Sequence, residues 1–159
     1  MQVLVLYHSK SGNTRSLAEA VAEGARDVEG INVIMKTPSD VKKEDFVDSQ
    51  GIVIGSPVYF GTMASEIKKV IDDFVVVRRK MEGKVGAAFA SSADASGGKE
   101  TTIIAILQAL LIYGMVIVGD PISTGGHYGA TSQGSPTASD IKKAESLGRR
   151  VAELVKKLF

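Results

Sequence analysis

A chain of 159 residues, 44% hydrophobic and 23% charged, is long enough to bury one core without staples, so residues 1–159 are expected to form a single domain. Nineteen Lys and Arg against eighteen Asp and Glu leave a formal charge of +1, which provides neither the basic face that nucleic acid requires nor an acidic excess. With no Cys and two His, disulfides and thiolate chemistry are excluded, no metal site is expected, and a cytoplasmic location is permitted.

The N-terminus, MQVLVLYHSK, lacks a basic segment ahead of a long apolar run and a small-residue cleavage site, so no signal peptide is expected. Val3, Leu4, Val5 and Leu6 are an unbroken apolar run, the pattern of a parallel strand covered on both faces. From about Asn13 a helix follows, with Leu17, Ala18, Val21, Ala22, Ala25 and Val28 at three-to-four spacing. Ile31 to Met35 reads as the second strand, Pro38 to Phe46 as a short helix, and Gly51 to Gly55 as the third strand. Met63, Ile67, Val70, Ile71 and Phe74 mark the next helix, and Val85 to Ala90 the fourth strand.

Thr101 to Gly119 carries no charge for nineteen residues, formally the length of a membrane span. Gln108 interrupts it, and Tyr113-Gly114 divides it into a helix-like half and a β-branched half. It is therefore expected to be a buried helix over about Glu100 to Ile112 and a fifth strand over Met115 to Val118, with no membrane span. That helix is apolar nearly all round, so contact with another subunit is expected. The last helix repeats Ile141, Ala144, Gly148, Val151 and Val155, with Ser139 or Asp140 as its cap. Alternating strands and helices imply right-handed crossovers and a parallel sheet with helices on both faces.

In an open parallel sheet, ligands bind outside the carboxyl ends of the strands, so the loops after strands one, three and four carry the function. The first is SKSGNTR, residues 9 to 15. Ser9, Ser11 and Thr14 offer hydroxyls, Gly12 lets a ligand approach the backbone, and the helix from Asn13 turns free N–H groups and a positive dipole end into the loop. These parts suit a phosphate. The same residues make an ordinary capped turn, and the loop alone does not separate the two.

The loop lacks the lysine of a nucleotide-hydrolysing P-loop and the G-x-G-x-x-G of a dinucleotide fold, and without Cys there is no cysteine phosphatase. Its strand ends Tyr7-His8-Ser9, without the carboxylates of a phosphate-receiving signalling domain. After strand three, Pro57, Val58, Tyr59, Phe60 and Gly61 place two aromatics where a flat ring can stack, or where they simply cover the sheet edge. After strand four, Ser91, Ser92, Ala93, Asp94, Gly97 and Gly98 form a short-side-chain loop. Its backbone N–H groups can meet the edge of a flat ligand, although the composition equally suits a floppy surface loop.

These three loops together resemble those of the flavodoxin-like FMN proteins. Within that superfamily, GSPVYFGTMASEIKKVIDD, GKVGAAFASS with its following GGKET, YGMVIVG and GGHYGAT are similar to WrbA-type NAD(P)H:quinone oxidoreductases. The resemblance covers the whole chain and implies a three-layer α/β sandwich around a five-stranded parallel sheet in the order 2-1-3-4-5.

Position by position, it implies that Ser9, Ser11, Gly12, Asn13 and Thr14 hold the FMN phosphate. Pro57, Val58, Tyr59, Phe60 and Gly61 flank the isoalloxazine, and Ser91, Ser92, Ala93, Asp94, Gly97 and Gly98 line its polar edge and the ribityl chain. Tyr113 falls where those reductases place a His near a neighbouring subunit's flavin, and His127-Tyr128 lies in the loop following strand five, so Tyr113 and His127 are the candidate catalytic proton donors. The chain departs from that family in its short Met35 to Gly51 segment and its lack of a Trp before strand four.

The implied activity is two-electron transfer from NAD(P)H through bound FMN to a quinone-like acceptor, in a homodimer or homotetramer. The competing reading is a flavodoxin-type carrier that passes single electrons between redox protein partners. The near-neutral charge provides no acidic docking face for such a carrier.

Overall fold

Val3 to Leu6 is apolar at every position because both faces of the first strand are covered. Leu4 and Leu6 join one buried cluster and Val3 and Val5 another. The structure, a computed structural model, describes residues 1–159 throughout. In chain order it contains β1 (Gln2–Tyr7), α1 (Asn13–Arg26), β2 (Asn32–Lys36), α2 (Lys43–Asp48), β3 (Gly51–Tyr59), β4 (Thr62–Met63) and α3 (Ser65–Asp73). A 3-10 segment (Val75–Lys80) leads to β5 (Val85–Ser92), α4 (Lys99–Ile112) and β6 (Val116–Ile117). A 3-10 turn (Ile122–Thr124), β7 (Ala130–Gln133) and α5 (Ala138–Leu158) complete the chain.

The sheet runs β2-β1-β3-β5-β6, all pairs parallel, with α1 and α5 on one face and α2, α3 and α4 on the other. This is the flavodoxin-like α/β sandwich, with β5 in the place of the fourth strand expected from the sequence. The fifth position is supplied in two pieces. β6 pairs with Val85 and Gly86 at the start of β5, and β7 pairs in parallel with Phe89 to Ser92 at its end. Residues 118–129 therefore loop out from within the fifth strand, and His127 and Tyr128 do not follow it as expected.

The neck of this loop closes on backbone, and a Cβ at Gly119 would lie 1.9 Å from the His127 carbonyl oxygen. Asp120 is buried and accepts the His127 N–H at 2.9 Å, while Arg150 donates to the carbonyls of Gly119 and Asp120. The uncharged run 101–119 divides into α4, a turn at Tyr113-Gly114 and β6, and no helix is long and apolar enough to cross a membrane.

Two further boundaries differ from the sequence reading. The cap of α5 is Thr137: its hydroxyl accepts the Asp140 N–H at 3.2 Å while Asp140 accepts the Thr137 N–H at 2.9 Å, so Asp140 completes a capping box instead of capping alone. α2 begins at Lys43 because Thr37, Ser39 and Asp40 bond to one another in a turn. The last turn of α2 is closed by buried Lys84, whose Nζ donates to the carbonyls of Phe46 and Val47 at 3.0 and 2.5 Å. Burial holds that ammonium below the usual lysine range, with Asp48 opposing the shift.

Candidate functional site

The loop leaving β1 turns into α1 at Gly12, whose φ of 97° is a left-handed conformation that a side chain disfavours. A Cβ there would meet nothing within 4 Å, so the loop backbone faces open space. Ser9 Oγ accepts the N–H groups of Gly12 and Arg15 at 3.2 Å each, folding the loop onto the first helical turn. The N–H groups of Asn13 and Thr14, at the positive end of a 14-residue helix, have no acceptor in the chain. Free amides beside the hydroxyls of Ser11 and Thr14 make a donor set for a dianion.

Thr14 is only 2% exposed, and its Oγ1 shares a 2.7 Å hydrogen bond with Ser91 Oγ. That bond fixes the first turn of α1 to the end of β5. Ser132 stands beside Ser91 in the parallel register, buried and with no partner for its hydroxyl.

What the sequence presents as a loop after strand three is mostly strand. β3 continues to Tyr59 and reverses into β4, pairing Val58 with Met63 and Tyr59 with Thr62. The two turn residues, Phe60 and Gly61, have φ of 51° and 76°, as in a type I′ hairpin. Phe60 is fully exposed at the apex, so of the two expected aromatics Tyr59 alone walls the cleft. The base of the hairpin is held by buried Ser56, which accepts the Ala64 N–H and donates to the Pro57 carbonyl, both at 2.8 Å. Its tip is held by Thr101, which donates to the Gly61 carbonyl at 2.6 Å. A Cβ at Gly98 would sit 2.9 Å from Gly61 Cα, so this approach requires glycine.

The segment after β5 is an organised turn. Ser92 Oγ and the Gly97 N–H both donate to the Asp94 carbonyl, at 2.7 and 3.1 Å, and the Asp94 carboxylate accepts the Ser96 N–H at 2.9 Å.

Ser11, Asn13, Pro57, Val58, Tyr59, Ser91, Ser92 and Ala93 converge on a cleft of about 240 Å³. Lys10 joins them, a residue that sequence reasoning did not assign. Ser9, Gly12 and Thr14 shape the loop behind the cleft, Gly61 and Gly98 meet where the hairpin tip docks, and Asp94 and Gly97 lie in the turn beyond the walls. No carboxylate lines the cleft. Free amides and hydroxyls at one end, a tyrosine at the other and backbone-rich short side chains between them fit the phosphate, ring and polar edge of FMN.

Neither candidate proton donor reaches this cleft. His127 lies in the looped-out segment and lines a separate pocket of about 200 Å³ with Glu100, Asp120, Tyr128 and Lys143. Tyr113 caps the far end of α4, roughly 20 Å along the helix axis from its N-terminus. It is 5% exposed, its ring packs near Phe46, and its hydroxyl donates to the Ile71 carbonyl at 2.6 Å. Its apolar neighbours draw it into the core, where its hydroxyl is committed to the Ile71 carbonyl.

Burial, with Asp72 adding to it, pushes the Tyr113 phenol up to about 12. A phenol raised above its unfolded value contributes stability that is complete below the unfolded pKa, near 10, and is lost as pH rises through the folded one. Tyr113→Phe is therefore expected to cost about 1 kcal/mol at neutral pH through its lost hydrogen bond. It should also flatten the decline in stability between pH 10 and 12. Urea unfolding at a series of pH values checks both, and an identical alkaline decline in the variant would contradict this placement.

Comparison with known proteins gives the same architecture. A NAD(P)H dehydrogenase (quinone) from Archaeoglobus fulgidus is 38% identical over 188 aligned positions, which take in 99% of this chain and 98% of that protein. The alignment exceeds the 159 residues of this chain, in keeping with its short connection between the second and third strands. A flavodoxin from Aquifex aeolicus is 38% identical over 160 positions, covering 97% of this chain and 86% of its own. Of solved structures, the flavodoxin, WrbA-like protein from Agrobacterium tumefaciens superposes with a TM-score of 0.84 at 25% identity, covering 99% of both chains. A flavodoxin from the domain Archaea reaches 0.82 at 30% identity, covering 98% of this chain and 99% of its own. Residues 1–129, which carry β1 through β6 and all three loops of the cleft, match the NADPH-dependent FMN reductases, and the chain belongs to that family.

Proposed function

We infer that the protein is an FMN-dependent NAD(P)H:quinone oxidoreductase working as one domain over residues 1–159. The observation that carries this reading is the Thr14–Ser91 bond, which locks a donor-rich loop to the wall of a carboxylate-free cleft faced by Tyr59. FMN held in this cleft would supply two-electron redox chemistry between NAD(P)H and a quinone-like acceptor. The chain's part is to hold and orient. The amides of Asn13 and Thr14 and the hydroxyls of Ser11 and Thr14 bind the phosphate. Tyr59 positions the ring face, and the Ser91 to Ala93 backbone meets its polar edge.

With no carboxylate or imidazole in the cleft, the groups that can pass a proton there are Tyr59 Oη, Lys10 Nζ and water. A cytoplasmic homodimer or homotetramer fits this reading. Exposed Val75, Val76, Leu111, Ile112 and Val116, flanking the far end of α4, support self-association.

The Aquifex aeolicus relative, a flavodoxin, favours a second reading in which the same cleft serves a one-electron carrier between proteins. Anaerobic reduction of the FMN-loaded protein separates the two. NADH or NADPH should bleach the flavin directly, and dithionite titration should show one two-electron step. An unbleached flavin with two well-separated one-electron potentials would establish the carrier instead. A colourless protein with no affinity for added FMN would overturn both.

A further inference from the structure

The largest concavity is not the FMN cleft. A pocket of about 560 Å³ opens on the other side of the loop after β1, lined by Tyr7, His8, Ser9, Lys10, Gly12, Arg15, Thr37, Pro38, Ser39 and Glu66. It lies immediately beyond the carboxyl ends of β1 and β2, which pair in parallel up to Leu6 and Lys36, so it shares the functional edge of the sheet. Two contacts join it to the FMN cleft. Lys10 lines both, and the His8 ring meets the Tyr59 ring edge-on at 6.5 Å between centroids. The partition between the two spaces is therefore one pair of side chains thick.

The pocket is polar, and its two cationic side chains keep free donors. Glu66 is its one carboxylate. Its own backbone N–H holds it below the usual range, followed by the Ser65 hydroxyl, with smaller contributions from His8 and Lys10. Its Oε1 lies 3.6 Å from His8 Nε2. Lys10 forms no ion pair, and Arg15 engages Glu19 through Nε at 2.9 Å, leaving its two terminal amino groups free. Outside the lining, Asp40 already accepts the Thr37 and Ser39 hydroxyls. Lys10 and the free terminal amino groups of Arg15 thus offer donors to a polar pocket that has one lining carboxylate.

We propose that this pocket binds the diphosphate of the nicotinamide dinucleotide while its nicotinamide reaches the FMN cleft across the Lys10 and His8–Tyr59 partition. The inference rests on the reductase reading above, because only that reading brings a dinucleotide to this edge. Arg15 supplies planar N–H donors suited to phosphate oxygens, and Lys10 a mobile point charge. The dinucleotide suits the geometry because its nicotinamide and diphosphate are separated by a single ribose, a linker that can pass a partition of this thickness. A ligand confined to either space would leave the other half of the edge unused.

The test uses the FMN-loaded protein and the side of the pocket remote from FMN. Calorimetric titration with ADP should show binding that Ser39→Glu weakens roughly tenfold and Ser39→Lys strengthens, because the added charge changes sign while the exposed loop position stays the same. A merely structural effect of residue 39 would move both variants in one direction. Arg15→Ser should weaken ADP binding in the same sense as Ser39→Glu.

In steady-state assays, Ser39→Glu should raise KM for NADH without changing kcat. Absent ADP binding, or ADP binding indifferent to the charge at residue 39, overturns the site. ADP binding that follows that charge while KM for NADH does not move makes the ligand a free nucleotide and overturns the dinucleotide assignment. If ADP binding follows the charge but neither NADH nor NADPH bleaches the flavin, the reductase reading fails and the anion site stands.

Discussion

Gly148→Ala is expected to destabilise the protein by roughly 2–3 kcal/mol, a large share of the 5–15 kcal/mol typical of a domain. Helix propensity alone predicts the opposite sign, since alanine in a helix interior is favoured over glycine by about 1 kcal/mol. Packing decides the matter. A Cβ at Gly148 would lie 1.9 Å from the Val21 carbonyl oxygen, and one at Gly24 would lie 1.9 Å from the Glu145 carbonyl oxygen, so α1 and α5 cross backbone to backbone at two glycines. Neither carbonyl can rotate away as a side chain would, so the helices must separate. That opens the cluster around Leu17, Val21, Leu147 and Val151. Urea unfolding measures the effect, with exposed Glu153→Ala as a neutral reference on the same helix. An unchanged or raised midpoint for Gly148→Ala would show that the helices pack differently.

The phosphate loop carries the second large effect. Gly12→Val with Thr14→Val is expected to weaken FMN binding by roughly 2–5 kcal/mol, or about thirtyfold and upward. The geometry shows why this pair also burdens the fold: a β-branched residue is strained at φ 97°, and Thr14→Val leaves the Ser91 hydroxyl buried without its partner. Thr14→Val with Ser91→Ala separates the two consequences. Removing both ends of a buried hydrogen bond is nearly neutral for stability, so the unfolding midpoint should recover. FMN affinity should stay lowered by roughly 1.5–3 kcal/mol, because the bond that locks the phosphate loop to the cleft wall is gone. Quenching of free FMN fluorescence gives the affinity. Wild-type affinity in this variant would place the phosphate elsewhere.

These two cases mark how far the sequence could be read. The periodicity of Leu17, Val21 and Ala25 and of Ala144, Val151 and Val155 locates the helices, and both stripes are buried as expected. The role of Gly24 and Gly148 was not legible, because a glycine in a helix looks the same whether it weakens the helix or lets another backbone approach. For the site, the composition of the three loops pointed to one sheet edge, and eight of the expected residues line one cleft there. Lys10 was missed because an isolated lysine in a polar loop carries no pattern. Ser56 and Thr101 were missed because their work is to bond carbonyl and amide groups distant in the chain. Tyr113 and His127 stand away from the cleft of their own chain for a related reason. The hydroxyl of one is committed to the Ile71 carbonyl, and the other sits in a loop that interrupts the fifth strand, neither of which spacing along the chain reveals.

The sequence by itself determined the main strands and helices, that the sheet is parallel and covered on both faces, and which loops gather at one edge of it. Those properties follow from local periodicity and residue type, which act over one or two turns of chain. Only the tertiary structure decided that the SPVYFGTM loop is a type I′ hairpin presenting Tyr59 and not Phe60. It alone showed that the fifth strand is made in two pieces and that Thr14 and Ser91 lock two loops together. It also set a second, polar pocket behind the loop after β1. Each of these depends on groups far apart in the chain meeting within hydrogen-bond or van der Waals distance, and such meetings leave no trace in the spacing of residues along one strand.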